Sequence, residues 1–290
     1  KESEYGKVIL PLMLLRRMDC ALADTKDELI QKNAEWEKMG IDNREKLLES
    51  ISEVKFYNIS NYDFEKLAAD PNNILTNFIN YLDGYSEDVK DIVENFKFRE
   101  QVQQLHKKHL LYPLVQRFLS LDLHPNLVSN IEMGYIFEEI LRRFSEMSNE
   151  TAGEHYSPSE VVKLLVGIVM TGDKDALDKK GKIKTVYDPT CGTGGMLSAS
   201  ELFVEKYYPH ITLELFGQEL NDESYAIAKA DMLIKGYDAD QIKLGNTLTD
   251  DKLEKKRFHY MFSNPPYGVS WGNYDKAIKQ EAAQLGFDGR

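Results

Sequence analysis

Cysteine is nearly missing from this sequence: Cys20 and Cys191 are the only two in 290 residues. They are too few and too far apart for a disulfide framework, and neither stands in a C-x-x-C or similar ligand spacing, so both read as reduced thiols and no metal site is expected. Long apolar runs are absent as well. Nothing approaches the roughly 20 residues that a membrane span requires, and no membrane association is expected. A surplus of positive charge is also lacking, with 36 Lys and Arg against 48 Asp and Glu, a net charge of −12. Residues 1–150 hold 19 basic and 27 acidic groups and residues 151–290 hold 17 and 21, so neither half is cationic. A chain that grips nucleic acid unaided usually shows a basic patch or tail that releases counterions from phosphates. If DNA is the substrate here, a partner supplies much of the grip. There is no internal repeat and no low-complexity stretch. The opening Lys1-Glu2-Ser3-Glu4-Tyr5 has neither an initiator Met nor a signal peptide's apolar stretch, which points to a portion of a longer chain and to a cytoplasmic location.

What is present divides near residue 150, giving a helical domain over 1–150 suited to partner or DNA contacts and an α/β domain over 151–290. In the first part, apolar residues recur at helical spacing in Val8-Ile9-Leu10-Pro11-Leu12-Met13-Leu14-Leu15 and again at Ile74, Phe78, Ile79 and Leu82. Turn signals at Asp70-Pro71-Asn72-Asn73, Asp83-Gly84, Tyr112-Pro113 and His124-Pro125 cut it into short helices. The cluster His106-Lys107-Lys108-His109 reads as a solvated helix face. A further helix over Glu132–Met147 presents Tyr135, Ile136, Phe137, Ile140, Leu141 and Phe144, and the polar stretch Ser148 to Gly153 closes the domain.

Beyond that stretch, strands and helices alternate, the pattern of a mainly parallel sheet. Ser157 as N-cap, Pro158 at the first helical position and Glu160 closing a capping box open a helix whose apolar face is Val161, Val162, Leu164, Leu165, Ile168 and Val169. Ile183 to Tyr187 reads as a strand ending at Asp188, followed by a glycine-rich turn and a helix from about Met196. A second strand, Ile211 to Gln218, ends at Glu219; Asn221 caps the next helix and Gly236 ends it. Gln241 to Leu244 makes a short third strand. Phe258 to Ser263 makes a fourth, running into Asn264-Pro265-Pro266-Tyr267.

Asp188-Pro189-Thr190-Cys191-Gly192-Thr193-Gly194-Gly195 thus lies between a strand and a helix, where open α/β sheets bind ligands. Its glycines let the backbone approach a ligand with no Cβ in the way. Glu219, 31 positions after Asp188 and at the end of the next strand, can accept hydrogen bonds from both hydroxyls of a ribose. The pair implies a nucleoside ligand. The phosphate-cradling G-x-x-x-x-G-K-[ST] is absent, and the loop departs from G-x-G-x-x-G. It resembles the S-adenosylmethionine loop of class I methyltransferases, a Rossmann-like fold. That resemblance implies Asp188 near the methionine amino group, Thr190 and Gly192, Thr193, Gly194 and Gly195 against S-adenosyl-L-methionine, and Glu219 on its ribose. Asn246, in Gly245-Asn246-Thr247-Leu248 after the third strand, would then lie beside the cofactor's adenine; many methyltransferases carry Asp at this place.

Asn264-Pro265-Pro266-Tyr267 is the most specific motif. An aromatic amino nitrogen is a poor nucleophile because its lone pair is delocalised into the ring. An Asn264 side-chain oxygen and the Pro265 carbonyl can accept its two hydrogens, draw it toward tetrahedral geometry and aim the lone pair at a sulfonium methyl. Pro265 and Pro266 stiffen the loop, and Tyr267 offers a face for a base extruded from the duplex. A carbon-methylating cytosine enzyme needs a cysteine nucleophile on this loop; Cys191 sits instead in the cofactor loop and reads as structural. Cytosine N4, RNA or a protein glutamine remain alternative acceptors for the same hydrogen-bonding device, and a non-catalytic binding module on a relic fold is the reading from another class.

Glu154-His155-Tyr156-Ser157-Pro158-Ser159-Glu160-Val161-Val162 ahead of the cofactor loop, with a helical domain upstream, narrows the resemblance. The arrangement is similar to the modification subunit of type I restriction-modification systems, a site-specific adenine-N6 DNA methyltransferase. Across nearly the whole chain that resemblance implies that Glu154 to Ser159 help enclose the cofactor, with His155 and Tyr156 as the principal contacts. It also implies partners: double-stranded DNA, a specificity subunit, a second modification subunit and, in the complete system, a restriction subunit. A methyltransferase sheet normally continues for three strands beyond this motif, yet only 23 residues follow Tyr267. The expectation is a sheet cut short at its C-terminal end and weak catalysis by this stretch alone.

Overall fold

A computed structural model describes residues 6–148, 159–179, 181–265, 270 and 272–285. The chain divides into two compact units, Lys1–Ser148 with Lys229–Ala239, and Asn149–Ala228 with Asp240–Arg290. The return of 229–239 to the first unit has no counterpart in the sequence reading.

The first unit is built from α1 (Gly6–Leu22), α2 (Lys26–Lys38), α3 (Glu45–Ser52), α4 (Phe64–Ala69), α5 (Ile74–Asp83), α6 (Glu87–Asn95), α7 (Phe98–Lys107), α8 (Leu111–Leu119) and α9 (Asn130–Ser148). Apolar residues one helical turn apart decide what is buried: Leu10, Leu14, Met18 and Leu22 in α1, and Ile74, Phe78 and Leu82 in α5, all reach the core. Arg17 is buried with them. Its guanidinium donates to the carbonyls of Leu123 and Val128 and to Asn130 Oδ1, tying the segment before α9 to α1. Tyr112-Pro113, read as a turn, lies instead in the first turn of α8, where proline's missing N–H leaves no helical bond unmade. The chain reverses just before, at His109, whose φ is 57°. In α9 Met133, Gly134 and the expected Phe137 are buried, while the expected Tyr135 and Ile136 are exposed.

The second unit holds β1 (Ile183–Asp188), β2 (Thr212–Glu219), β3 (Ile242–Leu244) and β4 (Tyr260–Met261) in one parallel sheet of order β3-β2-β1-β4. The helices α10 (Ser159–Gly172), α11 (Lys174–Leu177), α12 (Gly195–Tyr207), α13 (Asp222–Lys235) and α14 (Asp275–Leu285) complete the α/β part, with α13 passing into the first unit at Lys229. The fourth strand is shorter than the expected Phe258–Ser263. Phe258 leaves the strand line to stack on Tyr187 at 4.5 Å, and the ladder to β1 consists of Val186↔Tyr260 and Tyr187↔Met261. The expected caps Ser157 and Pro158 lie outside the described residues.

The face of α10 differs most from expectation. Val162, Val166 and Met170 are buried, whereas Val161, Leu164, Leu165, Ile168 and Val169 are 38–63% exposed. The helix is apolar nearly all round, so periodicity cannot choose a side. Packing on α12 chooses it, through a single i, i+4, i+8 row. Val166→Asp should therefore unfold the second unit or destabilise it by about 3 kcal/mol or more, as a buried unpaired charge does. Leu164→Asp should change stability by no more than about 0.5 kcal/mol. Denaturant titration of both variants checks this, and a reversed ranking would restore the face read from periodicity.

Candidate functional site

Because all four strands run parallel, β1, β2, β3 and β4 end at one edge, with Asp188, Glu219 and Leu244 as the last residues of the first three. β1 has β2 on one side and β4 on the other, so the loops after β1 and β4 diverge from a topological switch point, the usual place for a ligand crevice. The glycine loop closes down onto β2 there. Cys191 N donates to Gln218 O at 3.0 Å, and a Cβ at Gly217 would meet Cys191 Sγ at 2.9 Å, so only glycine permits that approach. Gly192 adopts φ +55°, and the space its Cβ would take is open. Gly194 N then donates to Cys191 O at 2.8 Å, and α12 begins at Gly195, with the positive end of a 13-residue helix at the loop. Thr193, between these glycines, is half-buried.

Side chains fasten the loops to one another. Glu219 Oε2 accepts from Gly192 N and Oε1 from Asn221 N, each at 2.8 Å. A carboxylate has about four acceptor sites, so two remain for further donors. Asn221 also caps α13 by accepting from Ser224 N at 2.9 Å. Asn246 Oδ1 accepts from Leu248 N at 2.9 Å in a local turn, Leu248 itself being largely exposed, and Thr247 Oγ1 donates to Pro189 O at 2.5 Å. Gln218, fully buried, was not singled out in the sequence. It donates to Asp250 O and accepts from Lys252 N, holding the segment after β3 in place. It stands in a strand that also carries Thr212, Glu214 and Glu219, so its residue type did not set it apart. Ser263 was missed too: Thr190 Oγ1 and Ser263 Oγ lie 2.9 Å apart, joining the loop after β1 to the residue before Asn264.

The electrostatics centre on Asp188, which is 2% exposed. Burial pushes its carboxyl up to about 7; a hydrogen bond from Thr190 N opposes this and the Glu219 carboxylate adds to it. A buried acid whose acting neighbour charge is another acid is suited to a cationic ligand group such as an ammonium. Burial likewise raises the Cys191 thiol far above its ordinary value, so it is no nucleophile at neutral pH. Among the described residues no group of His, Cys, Asp or Glu gathers as a metal site, and no helix is long and apolar enough to cross a membrane.

The structure thus brings Asp188, Thr190, Gly192, Thr193, Gly194, Gly195, Glu219, Asn246, Thr247, Leu248, Asn264 and Pro265 to one edge of the sheet. Asn264 and Pro265 are exposed there, past the end of β4. Ser159 opens α10 and its hydroxyl donates to Glu160 at 3.1 Å, a local use. Glu154, His155, Tyr156, Ser157, Pro158, Pro266 and Tyr267 lie outside the described residues.

Comparison with known proteins supplies the family. The family model described as N-6 DNA Methylase matches residues 129–286, and the HsdM N-terminal domain model matches residues 1–118. The chain is 26% identical over 282 residues to the type I restriction enzyme MjaIX methylase subunit of Methanocaldococcus jannaschii, covering 92% of this chain and 48% of that protein. It is 27% identical over 205 residues to the MjaVII methylase subunit of the same organism, covering 69% of this chain and 33% of that one. In fold it is similar to a type I restriction-modification methyltransferase subunit from Streptococcus thermophilus, with TM-score 0.66 and 23% identity over 96% of this chain and 62% of that structure. The chain therefore spans about half the length, or less, of these two M. jannaschii relatives.

Asp188 makes the stability of the fold depend on pH. Below about pH 4 the carboxyl is protonated in both folded and unfolded chains and has no effect. As pH rises from about 4 to about 7, the unfolded chain ionises while the folded chain resists, and stability is lost, levelling off above about 7 at a ceiling on the order of 4 kcal/mol. Asp188→Asn should thus raise the melting temperature, and by more at pH 8 than at pH 5.5. A gain that does not change between those pH values would mean that the carboxyl titrates normally.

Proposed function

Because the chain belongs to the N-6 DNA methylase family, whose model covers more than half of it, we propose that it is the modification subunit of a type I restriction-modification system. In this reading it transfers methyl from S-adenosyl-L-methionine to the amino nitrogen of an adenine turned out of double-stranded DNA. Residues 151–290 form the methyltransferase domain and residues 1–150 the helical domain that meets partners. Those partners are DNA, a specificity subunit, a second modification subunit and, in the full complex, a restriction subunit, all in the cytoplasm.

The observation that carries this reading is the meeting of the glycine loop, Glu219 and Asn264-Pro265 at the ends of neighbouring parallel strands. The donor set fits the cofactor. Asp188 suits its ammonium, the two remaining acceptor sites of Glu219 suit its ribose hydroxyls, and the open space at Gly192 suits a close backbone approach. Thr190, Thr193, Gly194 and Gly195 line the same approach, and Asn246, Thr247 and Leu248 take the adenine side. For Glu154, His155, Tyr156, Ser157, Pro158 and Ser159 the proposed role is contact with the cofactor. When bound, the cofactor supplies an electrophilic methyl group on sulfonium. Asn264 Oδ1 and the Pro265 carbonyl accept the two amino hydrogens of the target base and so orient its lone pair. Pro266 keeps the loop stiff, and the ring of Tyr267 stacks on the base once it has left the duplex. The acidic surface of the chain agrees with a specificity partner that carries most of the phosphate contacts.

Two variants separate binding from chemistry. Glu219→Ala should weaken S-adenosylmethionine binding by about tenfold to a hundredfold in a calorimetric titration, the worth of hydrogen bonds to a charged acceptor. Asn264→Ala should leave that affinity within about threefold. In the complex with the specificity subunit it should lower methyl transfer to DNA by about a hundredfold or more. Label appearing in protein or RNA instead of DNA, or on cytosine in product analysis, would overturn the substrate assignment.

A further inference from the structure

We infer that Ser263 is a positioning residue: its hydroxyl, bonded to Thr190 across the carboxyl ends of β4 and β1, sets where Asn264 stands relative to the cofactor loop. The inference rests on the proposed methyl transfer. Its basis is how little of β4 the sheet holds. The ladder between β1 and β4 is two residue pairs long, and Phe262 N donating to Tyr187 O at 2.9 Å is its last backbone bond. The chain then needs Asn264 at a fixed place two residues later, and Pro265 beyond it has no N–H to offer. The bridge from Ser263 Oγ to Thr190 Oγ1 at 2.9 Å continues the fastening of β4 to β1 beyond that ladder. Thr190 is itself anchored, its N–H donating to Asp188 Oδ1 at 3.0 Å. Pro189 O, on the same turn, receives the Thr247 hydroxyl at 2.5 Å. The residue next to the amino-group acceptor is therefore tied to the carboxyl that suits the cofactor's ammonium through one hydroxyl pair. Catalysis that works by holding reacting atoms in line is sensitive to slack at such a point.

The test compares Ser263→Ala, Ser263→Thr and Thr190→Val in the full-length protein complexed with its specificity subunit. The probe is tritium transfer from S-adenosylmethionine to unmethylated genomic DNA. Ser263→Ala should lower kcat about five- to tenfold, the scale of one neutral hydrogen bond, with cofactor Kd within twofold and melting temperature unchanged. Ser263→Thr, which keeps the hydroxyl, should restore most of the rate. Adding Ser263→Ala to Thr190→Val should cost no further rate, the coupling expected of a pair that acts through one bond. An unaltered kcat in Ser263→Ala, or full additivity with Thr190→Val, would overturn the bridge while leaving the methyltransferase reading intact. Absence of transfer by the wild-type complex would overturn the reading itself.

Discussion

A carboxyl group buried at the end of β1, with a second carboxylate acting on it, is held against its own hydration, and the surrounding fold must offset that cost. β1 pairs with β2 on one side and β4 on the other, and its last residue is 2% exposed, whereas Glu219 at the end of β2 is only partly buried. What surrounds Asp188 is consistent with that constraint: a backbone N–H from Thr190, glycines that bring main chain rather than side chain close, and the start of α12. Holding this carboxyl away from water therefore costs folding free energy once the pH favours its ionised form.

The architecture of the α/β part was largely legible, because its cues are local. Short strand-like runs within a strand-helix alternation located β1 and β2, Asn221 announced a cap that the structure contains, and Gly236 marked the end of α13. Proline was ambiguous, since Tyr112-Pro113 begins a helix just as readily as it forms a turn. The side of α10 that faces inward was not legible, because a helix apolar on every side carries no directional signal and only the partner helix α12 selects Val162, Val166 and Met170. In α9 the expected Phe137 is buried, but Met133 is buried with it while the expected Tyr135 and Ile136 are exposed. In the site, glycines and acids stand out as residue types, whereas Ser263 and Gln218 are common residues whose importance comes from what they touch. Long-range pairs between ordinary hydroxyls and amides leave no mark in one sequence.

Val161, Leu164, Leu165, Ile168 and Val169, left exposed along α10, favour burial against another apolar surface. The chain's charge works in the opposite direction, since 48 acidic against 36 basic groups keep molecules apart in solution. These two tendencies set the conditions under which the chain stays dispersed. Salt screens the repulsion and leaves the apolar attraction in place.

Cys191 has a consequence of its own. Its sulfur is wedged against Gly217 at the root of the glycine loop, and both cysteines of the chain are buried free thiols. A thiol reagent added to the folded protein can reach that sulfur only when the loop lifts from β2. The rate of modification at Cys191, separated from Cys20 by peptide mapping, is therefore a clock for breathing of the loop. Chemistry itself has placed a reporter under the part of the molecule whose motion would otherwise be hardest to observe.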